Sequence, residues 1–246
     1  MPVNCALKIL VCYHKPFTMP PNDDGILLPI HVGKSISSQE LNMQGDNEVN
    51  GTPCDNISSK NESYCELTAI YWAWKNLRRL YPDVQYVDLH HYRRFFAFND
   101  RKYFAVTIEK PEEEVSDYRI DAEKIIRILK PGRIILPKKL VFSSTVAEQY
   151  CMCCVSDDYR AVKKIIFDKY PDYREAFTEV MEKGNKLHIC NMFIMRYDDF
   201  VKYCEWLFDV MTELEPLVPF EHYNVTQKRV FGYISERLLG VYVRKH

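Results

Sequence analysis

The chain has 246 residues, a hydrophobic content of 47% and a formal net charge of −1 from 33 basic and 34 acidic side chains. That length allows a sizeable core, and the balanced charge does not favour nucleic acid as a partner, since a general nucleic-acid surface usually needs a basic domain. No segment has the roughly 18 consecutive apolar residues that span a membrane. We therefore expect a cytoplasmic globular protein that contacts a membrane at most peripherally.

The nine cysteines show no repeated paired spacing. Cys151, Cys153 and Cys154 lie close together, but no C-x-x-C pair elsewhere completes a zinc site. This pattern is typical of free thiols in a reducing cytosol. We expect neither a disulfide framework nor a metal site from the cysteines.

A first buried strand is predicted over Leu7 to Tyr13, an apolar run that ends at His14 and Lys15. Leu27 to Val32 predicts a second, shorter strand. Basic groups at the end of a buried strand are candidates for binding an anion, because ligands of open α/β sheets bind outside the carboxyl ends of the strands. The alternative for His14 and Lys15 is an ordinary exit from strand to loop.

The next segment, residues 33–61, is rich in Ser, Asn, Asp and Gly and predicts a long loop. A loop of this length inside a compact domain is usually functional or disordered. Asp55, Asn56 and Ser58 lie near its end, just before a predicted helix, where they are candidates for binding the ribose or base of a nucleotide. Turn chemistry is the alternative, since Asx and Ser residues are common in turns.

A helix followed by a buried strand dominates residues 63–96. Ser63 and Glu66 have the spacing of a capping box, and the apolar residues that follow recur at helical intervals. That stripe places Trp74 in the core and leaves Trp72 available to stack on a base or sugar. Pro82 ends the helix, and Val84 to Leu89 predicts the strand.

The strand predicted over Val84 to Leu89 also ends in groups that are cationic or can become so: His90, His91, Arg93 and Arg94. Arg suits phosphate because its planar guanidinium donates two parallel hydrogen bonds. Two basic strand ends in one sheet can line the same crevice, so the sequence predicts a phosphate site there. Strand alternation places His90 and Arg94 on one side and His91 and Arg93 on the other.

Strands and helices alternate along the rest of the chain, which predicts an α/β fold with a mostly parallel central sheet flanked by helices. The predicted elements are an edge hairpin within 97–117, a helix over Asp121–Leu129, a strand over Arg133–Pro137, a capping box at Thr145 and Glu148, helices over Asp157–Asp168 and Pro171–Glu182, a strand over His188–Met195, helices over Tyr197–Glu213 and Thr226–Leu239, and a terminal strand over Val241–Val243.

Five motifs, in order, carry a resemblance: CYHKP, DNISSKNESYCELTAIYWAWKN, LHHYRRFF, NMFIMRYDDFVKYCEWLF and RVFGYISERL. From about Leu7 to Val243 the chain resembles the domain-of-unknown-function 4422 family, bacterial glycosyltransferases of capsular, exopolysaccharide and lipopolysaccharide O-antigen gene clusters. The resemblance implies a GT-A-like fold with a Rossmann-like sheet. It also implies one glycosyltransferase domain over residues 1–246, in which approximately 1–140 bind the nucleotide sugar and 141–246 bind the acceptor.

The same resemblance implies a UDP-sugar donor, a transferred hexose and a lipid-linked oligosaccharide acceptor. Some relatives are similar to enzymes that transfer galactofuranose, which makes it a candidate donor sugar. Many GT-A enzymes hold Mn²⁺ or Mg²⁺ with an Asp-x-Asp motif. The matching place here reads Asp88-Leu89-His90-His91, without the second Asp, so no metal ligand is assigned.

An inverting transfer needs a base to take the proton of the acceptor hydroxyl. Asp88 is one candidate, because a carboxylate in a buried strand must pair with an Arg, bind a metal or do chemistry. Glu236 is the second, with a helical ion pair to Arg237 as the alternative, and Glu205 is a third. A retaining mechanism stays open.

Two other functions remain open at this point. A nucleotidyl or phosphoryl transferase would use the same crevice, although the chain has only eight Gly and no G-x-x-x-x-G-K-[ST] loop. A non-catalytic sugar- or partner-binding module is compatible with an aromatic content of 13%.

Overall fold

The computed structural model describes residues 6–96, 106–107, 115, 118–129 and 132–246. The chain forms two compact units. Unit 1 comprises Met1–Asn61, Glu66–Lys138 and Met192–Val201, and unit 2 comprises Glu62–Cys65, Lys139–Asn191 and Lys202–His246. Among the described residues, no helix is both long and apolar enough to cross a membrane.

Unit 1 is built on a mixed, mostly parallel sheet flanked by helices. Its strands are β1 Leu7–Tyr13, β2 Leu27–His31, β3 Gln44–Gly45, β6 Tyr86–His91, β7 Arg94–Phe95, β8 Val106–Thr107 and β11 Ile194–Arg196; a separate hairpin pairs β4 Glu48–Val49 with β5 Thr52–Pro53. The strands of the sheet run in the order β3-β2-β1-β6-β7-β8, and β11 also pairs with β6. The pairings of β1 with β2 and β6, and of β2 with β3, are parallel, whereas β7, β8 and β11 pair antiparallel.

The two central strands confirm the strand predictions for the first third of the chain. All residues of β1 are buried, as expected for a continuous apolar run covered on both faces. Of the predicted edge hairpin over residues 97–117, the structure describes β8, which pairs with β7 just before that region. Most of residues 97–117 fall outside the described part of the chain, so that hairpin stays a prediction.

The helix after the long loop starts later than predicted. A short helix, α1, spans Asn61–Tyr64 and is followed by Cys65, whose φ of 52° is left-handed. The longer helix α2 begins at Leu67 and runs to Leu80. Glu66 is the N-cap residue of α2 and makes no side-chain capping hydrogen bond. Ser63 therefore does not cap α2 as predicted, because it lies inside α1 and the left-handed Cys65 separates it from Glu66.

The burial of the two tryptophans of α2 is the reverse of the prediction, which placed Trp74 in the core and left Trp72 accessible. Trp72 is fully buried, and its indole N–H donates to the carbonyl of Glu48 at 2.7 Å. Trp74 is half-buried, with the ammonium of Lys75 3.4 Å from its ring centre. The apolar stripe did not reveal that the β4–β5 hairpin would cover the Trp72 side of the helix.

Unit 2 is largely helical, with one small antiparallel ribbon formed by β9 Leu140–Val141 and β10 Lys186–Leu187. Unit 1 holds α3 Ala122–Ile128; the later helices are α4 Val146–Cys153, α5 Ser156–Lys169, α6 Arg174–Phe177, α7 Tyr197–Leu214, whose first turn belongs to unit 1, and α8 Val230–Lys245. The predicted helices and the capping box at Thr145 and Glu148 are confirmed, the latter with bonds of 2.8 and 3.2 Å.

Three predicted strands differ from the structure. Arg133–Pro137 contributes one isolated bridge, between Ile135 and Ile194. His188–Met195 is extended only at its end, because Cys190 and Asn191 both have positive φ. Val241–Val243 continues α8. Short apolar runs do not distinguish a strand from a buried helical turn by periodicity alone.

Candidate functional site at the carboxyl edge of the sheet

The carboxyl ends of β1 and β6 meet at the same edge of the sheet in unit 1. Cys12 of β1 pairs in register with His91 of β6, and the backbone N–H of Tyr92 donates to the carbonyl of Cys12 at 3.0 Å. The parallel direction of the two strands therefore brings His14 and Lys15 beside the turn at Tyr92 and Arg93. This convergence of two basic strand ends is the one predicted from the sequence.

The ring of Tyr92 lies at the centre of these basic groups. The ammonium of Lys15 is 5.6 Å and the guanidinium carbon of Arg93 is 5.4 Å from its centroid. The imidazole of His14 meets the same ring at 5.1 Å and Phe17 at 4.8 Å, both edge-on. A cation near an aromatic face is held electrostatically. We call His14, Lys15, Tyr92 and Arg93 the Tyr92 cluster.

The cations of this edge are accessible, although the ring between them is buried. His14, Lys15 and Arg93 are exposed, and Arg94 is half-buried. Within the part of the chain that the structure describes, no carboxylate lies within ion-pair distance of Lys15, Arg93 or Arg94. Their charge is not neutralised by those residues, which is what an anion site requires.

His91 and His90 lie on opposite faces of β6, as alternation predicts. His91 is half-buried. His90 is fully buried, with Phe95 and Phe96 both 5.4 Å from its ring. Its Nε2 is 3.2 Å from Oδ2 of Asp88, which is also fully buried. The structure thus places His90 with Asp88 inside the unit, apart from the exposed cations.

Burial raises the pKa of Asp88, and the neighbouring His90 opposes that rise. The ionisable group beside this buried carboxylate is therefore a histidine and not the predicted Arg. Asp88 and His90 supply two donor groups, and the described residues contain no group of three or more His, Cys, Asp or Glu side chains suited to a metal ion. This donor set does not fit a divalent metal, and we derive no step through one.

The loop between β2 and α2 is organised by Asp46, which the sequence did not single out. This buried carboxylate accepts hydrogen bonds from the backbone N–H of Gly33 at 2.8 Å, the backbone N–H of Lys34 at 3.2 Å and the hydroxyl of Ser58. The φ of Gly33 is 70°, which favours glycine. An Asp in a polar loop gives no sequence signal that distinguishes this role.

The loop residues predicted to bind ribose or base take part in turn contacts. The Asn56 side chain donates to the carbonyl of Cys54 at 2.7 Å and accepts from the N–H of Ser58 at 3.0 Å. Ser58 itself is buried against Asp46. Asp55 is exposed and accepts from the hydroxyl of Tyr71 at 3.1 Å. These contacts account for Asn56 and Ser58 within the loop, and their role in binding a ligand stays a prediction.

Glu236, the other predicted catalytic carboxylate, lies in unit 2 on α8. It is half-buried and accepts a hydrogen bond from the backbone N–H of Cys190 at 2.7 Å. The ion pair with Arg237, which was the alternative to a catalytic role, is present at 3.8 Å. Cys190 and Asn191 have φ values of 70° and 51°, so this turn adopts a left-handed backbone that non-glycine residues rarely take.

The same helix holds the second residue of that turn. The buried side-chain amide of Asn191 donates to the carbonyl of Gly232 at 3.2 Å and to the hydroxyl of Ser235 at 2.8 Å. Gly232, Ser235 and Glu236 share one face of α8, as their spacing dictates. Asn191, the first residue of the NMFIMRYDDFVKYCEWLF motif, therefore contacts the RVFGYISERL helix inside unit 2.

The fold and this edge define an α/β protein whose mostly parallel sheet carries exposed cations at the carboxyl ends of two neighbouring strands. The chain belongs to the family described as "Domain of unknown function (DUF4422)", whose model matches residues 8–246. A solved structure of the bifunctional glycosyltransferase WbbM, in its apo form, is similar with a TM-score of 0.82 and 32% identity. The match covers 98% of this chain and 42% of that chain. No curated protein matches the chain significantly.

Proposed function

We propose that the chain is a glycosyltransferase with a GT-A-like fold. It transfers a hexose from a UDP-sugar to a lipid-linked oligosaccharide during synthesis of a capsular polysaccharide, exopolysaccharide or O-antigen. The observation that carries this proposal is the Tyr92 cluster, where cations from two strand ends share one aromatic ring. The similarity to WbbM, a bifunctional glycosyltransferase by its description, supports the same chemistry.

The Tyr92 cluster suits a diphosphate leaving group. When the bond between the anomeric carbon and the β-phosphate oxygen breaks, the electron pair stays on that oxygen and the diphosphate gains negative charge. Cations already fixed in place stabilise this charge without reorganisation. Lys15 and Arg93, with Arg94, His91 and His14 beside them, supply this stabilisation in our proposal.

The acceptor hydroxyl oxygen forms the new bond to the anomeric carbon, and its proton passes to a carboxylate. Asp88 and Glu236 are the candidates for this base: Asp88 is fully buried beside His90, and Glu236 is half-buried. If Asp88 is not the base, its role would be to hold His90 in place within unit 1. We leave the anomeric outcome open.

Residues 1–140 would bind the donor and residues 141–246 the acceptor. A lipid-linked acceptor would bring the protein to the cytoplasmic face of a membrane, as a peripheral partner. Galactofuranose is a candidate for the transferred hexose, on the basis of the family resemblance alone.

Incubation with a panel of UDP-sugars and measurement of free UDP, with manganese and with chelator, tests this proposal. We expect UDP release from at least one donor and its loss in Arg93→Ala and Arg94→Ala. The matched control is Arg78→Ala, which removes a guanidinium engaged with Asp198 at 3.2 Å. No UDP release from any donor would contradict the proposal, and release of pyrophosphate would favour a nucleotidyl transferase.

A further inference from the structure

A second pair of polar side chains lies at the carboxyl edge of the sheet, beside the Tyr92 cluster. Tyr13 ends β1 and His31 ends β2, and the two residues are partners in the parallel register. Partners in adjacent strands place their side chains on the same face of a sheet. Tyr13 and His31 are therefore neighbours at the edge where ligands of such sheets bind.

Both side chains are fully buried, yet their polar atoms make no hydrogen bond within the part of the chain that the structure describes. The atoms concerned are the hydroxyl of Tyr13 and both ring nitrogens of His31. Buried polar groups are nearly always hydrogen-bonded, and each exception requires a reason. A single ligand that hydrogen-bonds to both Tyr13 and His31 would explain why the polar atoms of these two neighbouring side chains have no partner.

The two groups are uncharged. Burial raises the pKa of the Tyr13 hydroxyl well above its ordinary value. Burial also lowers the pKa of His31, more than the charge of Asp46 raises it. A neutral phenol and a neutral imidazole both donate and accept hydrogen bonds. They suit an uncharged polar group and suit phosphate less well than the cations nearby do.

The uncharged pair adjoins the charged cluster directly. The rings of Tyr13 and Tyr92 lie 6.2 Å apart, and Lys15 and Arg93 lie on the Tyr92 ring. His14 and Lys15 follow Tyr13 in the chain. Along this edge the order is thus His31, Tyr13, Tyr92, with uncharged hydrogen-bonding groups at one end and cations at the other. A nucleoside diphosphate has the same division.

We propose that Tyr13 and His31 hydrogen-bond the nucleoside of a bound nucleoside diphosphate and so select it over inorganic diphosphate. This inference rests on the proposed function, since it takes the Tyr92 cluster as the diphosphate site. The nucleoside offers hydroxyls on its ribose and donors and acceptors on its base, and either part can meet these two side chains.

Because Tyr13 and His31 are fully buried, the inference requires part of the surrounding chain to move when the nucleoside binds, and we assign that movement to the loop after β2. This loop returns to β2 at Asp46, whose backbone N–H donates to the carbonyl of His31 at 3.1 Å. Asp46 fixes the start of the loop through Gly33 and Lys34. The nucleoside, but not diphosphate alone, is expected to change amide hydrogen exchange across residues 33–46.

Calorimetric titration of UDP, ADP and inorganic pyrophosphate into the full chain and its variants tests the assignment. Tyr13→Phe and His31→Leu are each expected to weaken UDP binding by about tenfold or more, because a lost hydrogen bond at a built polar site is costly. Pyrophosphate binding stays unchanged, and Tm is unchanged or raised, since each variant removes a buried polar group. His31→Gln restores part of the affinity.

Tyr86→Phe, at the opposite end of β6, is the matched control and leaves UDP binding unchanged. Variants that weaken UDP more than ADP place the base on these groups, and equal weakening of both nucleotides places the ribose there; both results support the inference. If UDP binds and depends on Arg93 while Tyr13→Phe and His31→Leu bind it as the wild type does, or lose UDP and pyrophosphate equally, this inference is wrong and the proposed function stands. If wild type binds no UDP, both are wrong.

Discussion

The Tyr92 cluster in unit 1 and the Cys190–Asn191 turn in unit 2 are both places where separate motifs meet, but they use their polar groups differently. At the Tyr92 cluster, exposed cations surround a buried ring, and Lys15 and Arg93 have no carboxylate partner among the described residues. At the turn, Glu236 and Asn191 are engaged in hydrogen bonds with the backbone and with α8.

This difference in polar contacts distinguishes a motif suited to binding a ligand from a motif that stabilises the fold. Charge that remains available is suited to a ligand, whereas polar groups that satisfy one another hold a strained backbone in place. Variants of the Tyr92 cluster should therefore change binding with little effect on stability. Variants around the turn should change stability first.

The largest expected effect is on nucleotide affinity. Arg93→Ala removes an exposed cation of the Tyr92 cluster, and we expect UDP affinity to fall by about tenfold to a hundredfold, the range for a lost charge-assisted hydrogen bond. The free energy of unfolding should not change, because the side chain is exposed. Isothermal titration and urea denaturation measure the two quantities, with Arg78→Ala as control. A fall in the free energy of unfolding of Arg93→Ala with unchanged UDP affinity would contradict this prediction.

Gly232→Ala tests the packing of α8 in unit 2. A Cβ at this position would lie 3.0 Å from Sγ and 3.1 Å from Cβ of Cys65. Because this contact is tight, the variant should be less stable than Gly240→Ala by about 1–3 kcal/mol, while UDP affinity stays the same. Gly240→Ala is the matched control on the same helix, where the nearest atom is 3.4 Å away. Equal stability of the two variants in chemical denaturation would contradict this prediction.

Glu236 can be separated into a structural and a catalytic role. Glu236→Ala removes the acceptor for the N–H of Cys190 and should lower the free energy of unfolding by about 1–2 kcal/mol. Glu236→Gln keeps an oxygen acceptor and should be more stable than Glu236→Ala. If Glu236 is the base, the Gln variant loses UDP-sugar turnover although it is folded. A fully active Gln variant would restrict Glu236 to holding the turn.

A smaller effect concerns the pH dependence of stability. Because burial raises the pKa of Asp88 above its ordinary value of 3.8, the folded protein binds its proton more tightly than the unfolded chain does. Stability contributed by this group therefore falls as pH rises from about 4 toward the raised pKa. Asp88→Asn should flatten that slope in urea denaturations between about pH 4 and about pH 7. An unchanged slope would show that Asp88 does not carry it.

Local signals in the sequence were sufficient for much of unit 1. Continuous apolar runs predict β1 and β6, and the rule that parallel strands expose their carboxyl ends at one edge predicts that Lys15 and Arg93 meet there. The role of Tyr92 was not visible, because it depends on distances between three chain segments. The same holds for Asp46 and His31, whose burial results from the folded loop.

The wrong predictions of secondary structure and burial arose where tertiary contacts override local sequence patterns. Ser63 and Glu66 have the spacing of a capping box, but Ser63 belongs to α1 and the left-handed Cys65 lies between the two residues. Trp72 lies off the apolar stripe, yet it is fully buried, and its indole N–H donates to the carbonyl of Glu48 in the β4–β5 hairpin. The strand predicted over His188–Met195 is interrupted because α8 supplies partners for a turn at Cys190 and Asn191.

The account depends most on a diphosphate bridging the two basic strand ends. A crystal structure of the chain with UDP measures this directly. We expect diphosphate oxygens at about 3 Å from both the ammonium of Lys15 and the guanidinium of Arg93, as in charge-assisted hydrogen bonds. UDP bound with its phosphates away from the Tyr92 cluster, or in contact with neither cation, would contradict the account.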